Sequence, residues 1–317
     1  MTLSTTLLQE EVARNAKVVT FVIAEADKTE WPQDLIDQIG DRPAISITVM
    51  IDGKTYVGSD FDTLVQIEIP YTLSAVEAEK PNHLVIWSIN EAGEAVVILN
   101  GKYDSTAKSV RFEANHSGSY AVVFVNKTFA DLGNHSWARN AIEALAAREI
   151  IQGMGADIFG PAMNITRADF VVMLARALEL QSILDAGDTE HSNKEDFDDV
   201  FSNDYYYEAI TMAKQLNLVE GTGSNDFRPK DEISRQDMFT IVARALTNLG
   251  KLQIKGDMEQ LSKFNDRWNV AEYAVGSVAG LVKEGLIEGD GHSLHPEANA
   301  TRAEVAVFME RLMNLIY

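Results

Sequence analysis

Three arginines, Arg167, Arg235 and Arg302, recur 68 and 67 residues apart, each in a short polar motif that launches an apolar run. The motifs are Thr166-Arg-Ala-Asp169, Ser234-Arg-Gln-Asp237 and Thr301-Arg-Ala-Glu304. A Thr or Ser followed three residues later by an acid reads as a capping box, which satisfies the backbone N–H groups orphaned at a helix start. That accounts for Thr166, Ser234, Thr301, Asp169, Asp237 and Glu304 whether or not anything binds. Arginine needs another reason. At the first helical position it faces the positive end of the helix dipole, at a cost of about 0.3–1 kcal/mol. Two readings are open. A guanidinium beside helix-start N–H groups forms an anion site, and its planar fork matches a carboxylate. Alternatively each arginine pairs with a carboxylate of this acidic chain.

Other residues recur with the arginines. Gly153-Met-Gly155, Gly221-Thr-Gly223 and Gly289-Asp-Gly291 precede them, and an aromatic, Trp137, Tyr205 or Tyr273, lies 16 residues before each first glycine. The first glycine, Gly153, Gly221 or Gly289, suits a left-handed helix C-cap. No Lys-Ser/Thr follows the pattern, so a nucleotide P-loop is excluded. The aromatics are equally suited to packing at a rim and to stacking against a sugar ring. Each copy opens with Phe-x-Asp, at Phe129-Ala-Asp131, Phe197-Asp-Asp199 and Phe264-Asn-Asp266, and places a bulky residue near a proline, at Phe159-Gly-Pro161, Phe227-Arg-Pro229 and Leu294-His-Pro296.

The elements that must position these residues are helices. Trp137–Ala147 and Phe170–Leu178 show the i, i+3, i+4 spacing of amphipathic helices, and the later copies match. Each unit therefore reads helix, Gly-rich turn, extended loop, helix. One such pair cannot bury its apolar face alone, so three should pack around a shared axis. Segments 182–196 and 249–263 read as polar connectors. The acidic run Glu190–Asp196 lacks EF-hand spacing and reads as a solvated linker.

Before Phe129 the period is that of strands. Lys17–Ile23, Ala44–Met50, Leu64–Ile69, Leu84–Ile89, Ala95–Ile98, Ser109–Phe112 and Tyr120–Phe124 are rich in β-branched and aromatic residues. Turn signals at Asp52-Gly53, Asn90–Gly93, Asn100-Gly101 and Ser117-Gly118 separate them. One helix is expected near Pro32–Ile39, and the whole suggests a sandwich-like β domain. His83 and His116 are isolated and are expected in turns or on the surface. No acid pair, nucleophile elbow or metal-spaced His cluster stands out, so no catalytic residue, metal or cofactor is assigned.

Composition narrows the partners. With 317 residues and 46% hydrophobic content the chain can build more than one packed core. A net charge of −21 argues against nucleic acid and against an anionic membrane. No apolar run approaches the roughly 20 residues that span a bilayer. The start, Met1–Glu10, lacks the basic and apolar regions of a signal peptide. Without cysteine, disulfide and thiolate chemistry are excluded.

The combination of Phe-x-Asp, Trp137, Ile150-Ile-Gln-Gly153, Phe159-Gly-Pro161 and Ile165-Thr-Arg-Ala-Asp169 resembles the S-layer homology domain, over residues 129–316 in three consecutive copies. The resemblance implies an α+β chain: a β-rich sandwich-like module at residues 1–127, then repeats at 128–188, 189–256 and 257–317 forming an all-α pseudo-threefold bundle. It implies a secreted surface protein of a Gram-positive-type bacterium, held non-covalently to the cell wall. Its grooves are expected to bind secondary cell-wall polysaccharide, commonly through pyruvylated N-acetylmannosamine, with Arg167, Arg235 and Arg302 meeting the acidic group. The chain then looks like the C-terminal end of something longer, without catalytic activity of its own. Departures are Ser234 and Gln236 in the second motif, Tyr205 for Trp, and Leu294 and Ala300 in the third copy. Two other readings remain, a surface-layer assembly module with arginines in internal salt bridges, and the non-catalytic part of a polysaccharide hydrolase.

Overall fold

The change of sequence period at Phe129 marks a change of structural unit. The computed structural model describes residues 18–55, 60–90, 92–155, 157–186 and 196–317. The expectations for Met1–Glu10, for Lys17 and for the linker at residues 190–195 lie outside them. The described residues divide into two compact units, one reaching Thr128 and including Ala146–Glu149, the other formed by Phe129–Leu145 and Ile150–Tyr317.

The first unit contains nine strands among the described residues: β1 (Val19–Glu25), β2 (Ala44–Ile51), β3 (Lys54–Thr55), β4 (Asp60–Pro70), β5 (Leu84–Ile89), β6 (Ala95–Ile98), β7 (Lys102–Asp104), β8 (Ser109–His116) and β9 (Gly118–Phe124). They form a sheet ordered β1-β2-β9-β5-β6, with β3 paired to β2, and a second sheet ordered β4-β8-β7. All pairings are antiparallel. Alternate residues of both sheets meet in one core, with Ile47, Val49 and Ile51 from β2, Val65, Ile67 and Ile69 from β4, and Val110 and Phe112 from β8. Each such side chain contributes about 1.5–3 kcal/mol on leaving water. The large sheet is covered on its other face as well. Leu35 and Ile39 of α1 (Gln33–Ile39) pack with Val85, Ile89, Ala121 and Val123, which is why these strands read as apolar runs with only partial alternation.

The two histidines lie at turns, as expected, but neither is exposed. His83 is buried, with Nδ1 3.1 Å from the Val125 carbonyl, so it belongs to the core side of its turn. His116 is half-buried, stacked on Tyr120, with ring nitrogens near the Ser117 carbonyl and the Ser88 hydroxyl. A second short helix, α2 (Ala75–Glu79), is opened by a complete capping box from Ser74 and Glu77.

In the second unit the first helices are α3 (Arg139–Ala147), α6 (Tyr207–Gln215) and α8 (Val275–Lys283), and the second helices are α4 (Arg167–Ala177), α7 (Arg235–Asn248) and α9 (Arg302–Ile316). The segment read as a connector from residue 182 starts inside a helix, α5 (Leu180–Ala186), which is anchored by the buried Leu180. Each first helix ends with a residue in the left-handed region, Glu149, Asn217 or Gly285. The next amide then bonds back across the last turn, as in Ile150 to Leu145, Leu218 to Ala213 and Leu286 to Leu281. The C-cap position therefore lies four residues before Gly153, Gly221 and Gly289, which corrects the role expected for these glycines.

The repeats are joined by a closed cycle of backbone bonds. Ile165 N–H donates to Ala300 C=O, Ala300 N–H to Ile233 C=O, and Ile233 N–H to Ile165 C=O, at 2.9–3.1 Å. All three side chains are fully buried. Beside them Asn164 and Asn299 both donate to the Glu232 carboxylate.

Candidate groove sites between the repeats

Each repeat builds its loop in the same way. The acid of Phe-x-Asp accepts two backbone N–H groups of the loop: Asp131 from Phe159 and Gly160, Asp199 from Phe227 and Arg228, and Asp266 from Leu294 and His295. Burial pushes the Asp131 carboxyl up, but these donors outweigh it and hold it below the usual carboxylate range. The motif phenylalanine lies against the same loop. A Cβ on Gly153 would stand 2.8 Å from both the Ile158 carbonyl and the Phe129 ring, and one on Gly289 would stand 2.9 Å from the Phe264 ring. Gly153, Gly221 and Gly289 are thus required by close approach of their own loop, a role the spacing alone did not reveal.

The loop of each repeat then covers the second-helix start of the preceding one, cyclically. The N–H groups of Arg167 and Ala168 donate to the carbonyls of Asp231 and Pro229. Those of Arg235 and Gln236 donate to Ala298 and Pro296, and those of Arg302 and Ala303 to Met163 and Pro161. The third N–H, of Asp169, Asp237 or Glu304, bonds the hydroxyl of Thr166, Ser234 or Thr301. Helix-start N–H groups are therefore filled by protein, which corrects the expectation that they would be free to hold an anion. Only Glu304 completes a capping box, by accepting from the Thr301 N–H. The shorter Asp169 and Asp237 take the cap hydroxyl proton instead.

The arginine side chains follow the same cycle. Arg167 Nε donates to the Phe227 carbonyl at 3.0 Å, Arg235 Nε to Leu294 at 2.9 Å, and Arg302 Nε to Phe159 at 2.9 Å. Arg302 adds a bond from Nη2 to the Gln152 carbonyl. Burial lowers the Arg167 and Arg302 pKa values. Among the described residues neither has a carboxylate within 4.0 Å, whereas Arg235 Nη1 lies 3.4 Å from Glu304 Oε1. The internal ion pair expected on one reading is present at one site of the three.

The aromatics complete the arrangement from the remaining repeat. Tyr205 Oη donates to Asp169 at 2.5 Å, in the electrostatic neighbourhood of Arg302. Tyr273 Oη donates to Asp237 at 2.6 Å beside Arg167. Burial, then the Asp237 carboxylate, pushes the Tyr273 hydroxyl up to about 12. Trp137, Arg235, Glu304 and Gly289 line one cavity of about 470 Å³. All three rings are more than half exposed. Each site thus takes arginine, loop and acid, and aromatic from all three repeats. A guanidinium and an exposed ring in one groove are chemically suited to a ligand with one apolar face and a negative charge.

Among the described residues no group of His, Asp and Glu is arranged to hold a metal ion, and no helix is long and apolar enough to cross a membrane.

Comparison with known proteins agrees with this organisation. Residues 128–171, 196–239 and 263–306 match the S-layer homology domain. The chain is 30% identical over 270 residues to an amylopullulanase of Thermoanaerobacterium thermosulfurigenes, covering 85% of this chain and 14% of the relative. It is 33% identical over 187 residues to exoglucanase XynX of Acetivibrio thermocellus, covering 59% and 16%. The S-layer protein sap of Bacillus anthracis is 27% identical over 194 residues, covering 60% and 22%. The chain spans less than a quarter of the length of each of these relatives. The 270-residue alignment is longer than the stretch from Phe129 to Tyr317, so it reaches into the β unit.

Proposed function

Because the chain carries three tandem S-layer homology domains, we propose that its second unit anchors a secreted surface protein non-covalently to the bacterial cell wall. The repeats at 128–188, 189–256 and 257–317 act as one pseudo-threefold bundle, a reading supported by the cycle of backbone bonds through Ile165, Ile233 and Ala300. The ligand is secondary cell-wall polysaccharide bearing an acidic substituent of the pyruvylated N-acetylmannosamine type. Arg167, Arg235 and Arg302 meet its carboxylate, Trp137, Tyr205 and Tyr273 stack on its sugar rings, and several grooves on one body give avidity for a repeating polymer.

One observation carries this reading. Arg167 and Arg302 are buried without a carboxylate within 4.0 Å among the described residues, each beside an exposed ring from another repeat. Calorimetric titration with the purified polysaccharide, before and after removal of its pyruvyl groups, tests it. Binding that needs the ketal carboxylate and is lost on Arg→Ala replacement supports the anchor. Equal binding by Arg167→Ala, Arg235→Ala and Arg302→Ala variants would leave the assembly reading.

A second reading concerns the whole protein. The match to the amylopullulanase reaches into the β unit, which favours this chain as the non-catalytic end of a polysaccharide-degrading surface enzyme. Zymography of the native surface protein, identified with an antibody to this chain, against a panel of polysaccharides tests that.

A further inference from the structure

The three groove sites differ at several positions together, and the differences meet at Arg235. The guanidinium of Arg167 lies 4.7 Å from the Phe227 ring centre and that of Arg302 lies 4.5 Å from Phe159. At the equivalent place the third repeat has Leu294, which offers its carbonyl and no ring. Arg235 lies 5.4 Å from Phe239, a ring of its own helix, and its side chain keeps 15% exposure. The acids differ too. Asp169 and Asp237 each accept a tyrosine hydroxyl. The aromatic in Glu304's groove is Trp137, which has no hydroxyl to give. Glu304 keeps Oε2 on the Thr301 N–H and hydroxyl, and its Oε1 faces Arg235 Nη1. Two further polar contacts involve residues of this cavity, the Arg311–Glu288 ion pair and the His295–Asp290 hydrogen bond, both at 2.9 Å. At 3.4 Å the Arg235–Glu304 pair is the longest of these three contacts.

We propose that Glu304 is a built-in competitor for Arg235, occupying the place that a ligand carboxylate takes. The inference rests on the reading of the grooves as acidic-glycan sites. An incoming carboxylate must displace Glu304 Oε1, and it can do so because the pair is long, monodentate and partly solvated. A carboxylate engaging the guanidinium fork with two bonds replaces it at a net gain. A neutral sugar has nothing to exchange for the lost ion pair. Glu304 therefore lowers the affinity of this groove. The Arg167 and Arg302 sites have no such competitor among the described residues, so the Arg235 groove is the weakest for its ligand.

Glu304→Gln isolates the effect, because glutamine serves equally in a capping box and removes only the charge. Titration with native polysaccharide should show binding about two- to fivefold tighter than the parent, the range of an exposed ion pair. Binding to polysaccharide stripped of its pyruvyl groups should rise by no more than the same factor. The gain should vanish in the Glu304→Gln/Arg235→Ala double variant. Unchanged or weaker binding by Glu304→Gln, or a gain that survives loss of Arg235, overturns the proposal. A second arm follows the Arg235 Nε–H resonance during titration with sodium pyruvate, which needs no polymer. Its midpoint should fall by a similar factor in Glu304→Gln. Failure of the parent protein to bind polysaccharide, with this shift intact, would count against the anchoring function and not against the competition. No difference in the pyruvate midpoint would count against the competition itself.

Discussion

The Arg302 guanidinium lies over the Phe159 ring and donates from Nε to the carbonyl of that same residue, across 143 residues of sequence. This contact joins the third repeat to the first and so closes the cycle begun by Arg167 on Phe227 and Arg235 on Leu294. The arginines thus work for the fold before they meet any ligand. Their cost at the helix start is offset by a carbonyl acceptor and, at two sites, a ring.

Arg302→Ala should destabilise the second unit by about 2–4 kcal/mol, since it strands the buried carbonyls of Phe159 and Gln152 and removes a cation–π contact. Arg235→Ala should cost less, because it has no ring of the next repeat beneath it and its pair with Glu304 is partly solvated. Urea unfolding of the two variants checks the order. Equal losses would show that the ring contributes nothing.

Gly153→Ala should cost about 1–3 kcal/mol, because a Cβ there meets the Ile158 carbonyl and the Phe129 ring at 2.8 Å and both belong to the packed loop. Gly133→Ala is the control, with open space around its Cβ. Thermal melts of both variants test the claim that loop packing fixes Gly153. A neutral Gly153→Ala would show that the loop tolerates a Cβ there.

The local features of this chain were legible in its residues, and which repeat supplies which part of a groove was not. Leu84–Ile89 and Ala95–Ile98 are strands at the expected bounds, since each is a β-branched run closed by a turn signal. Lys54–Thr55 and Lys102–Asp104 are too short and polar to show a period, and their pairing comes from neighbouring strands. Thr166, Ser234 and Thr301 cap their helices as their spacing from an acid requires. The Gly-x-Gly role was misjudged because a left-handed residue need not be glycine, and Glu149 and Asn217 fill that position in two copies. Within one repeat, Trp137, Arg167 and Gly153 look like parts of one site. The fold deals them to three, since each loop covers its neighbour's helix, and no spacing along the chain reports that exchange.

The β unit carries its own pH dependence. Glu77 is buried against Arg42 at 2.7 Å. Burial pushes its carboxyl up, but the Ser74 N–H, the Tyr71 hydroxyl, the Ser74 hydroxyl and Arg42 outweigh it and hold the pKa at about 2, below the ordinary 4.5. A folded pKa below the unfolded one stabilises the unit above the unfolded value, and the contribution fades as pH falls from about 4.5 to about 2. Glu77→Gln should lose about 3 kcal/mol at neutral pH, by leaving Arg42 unpaired, and should flatten the stability profile between those limits. Amide exchange in β5 and β9 at pH 7, 4 and 2.5 measures it. A parallel profile in parent and variant would remove Glu77 from the acid response.

Salt should affect polysaccharide binding little. A chain of net charge −21 and an acidic polymer repel each other beyond contact, and this repulsion is screened over a Debye length of about 10 Å at 0.1 M salt. Raising salt weakens the attraction between each guanidinium and its carboxylate, but it also relieves the long-range repulsion. For Arg167 and Arg302, whose side chains are largely buried, the short-range attraction is screened less than the repulsion outside. Association rates should therefore hold or rise between 50 and 500 mM NaCl, and the equilibrium constant should change by less than about threefold. Surface-immobilised polysaccharide with flowing protein gives both quantities. A steep loss of affinity with salt, of the kind counterion release produces, would show an exposed basic surface at work in place of the three arginine grooves.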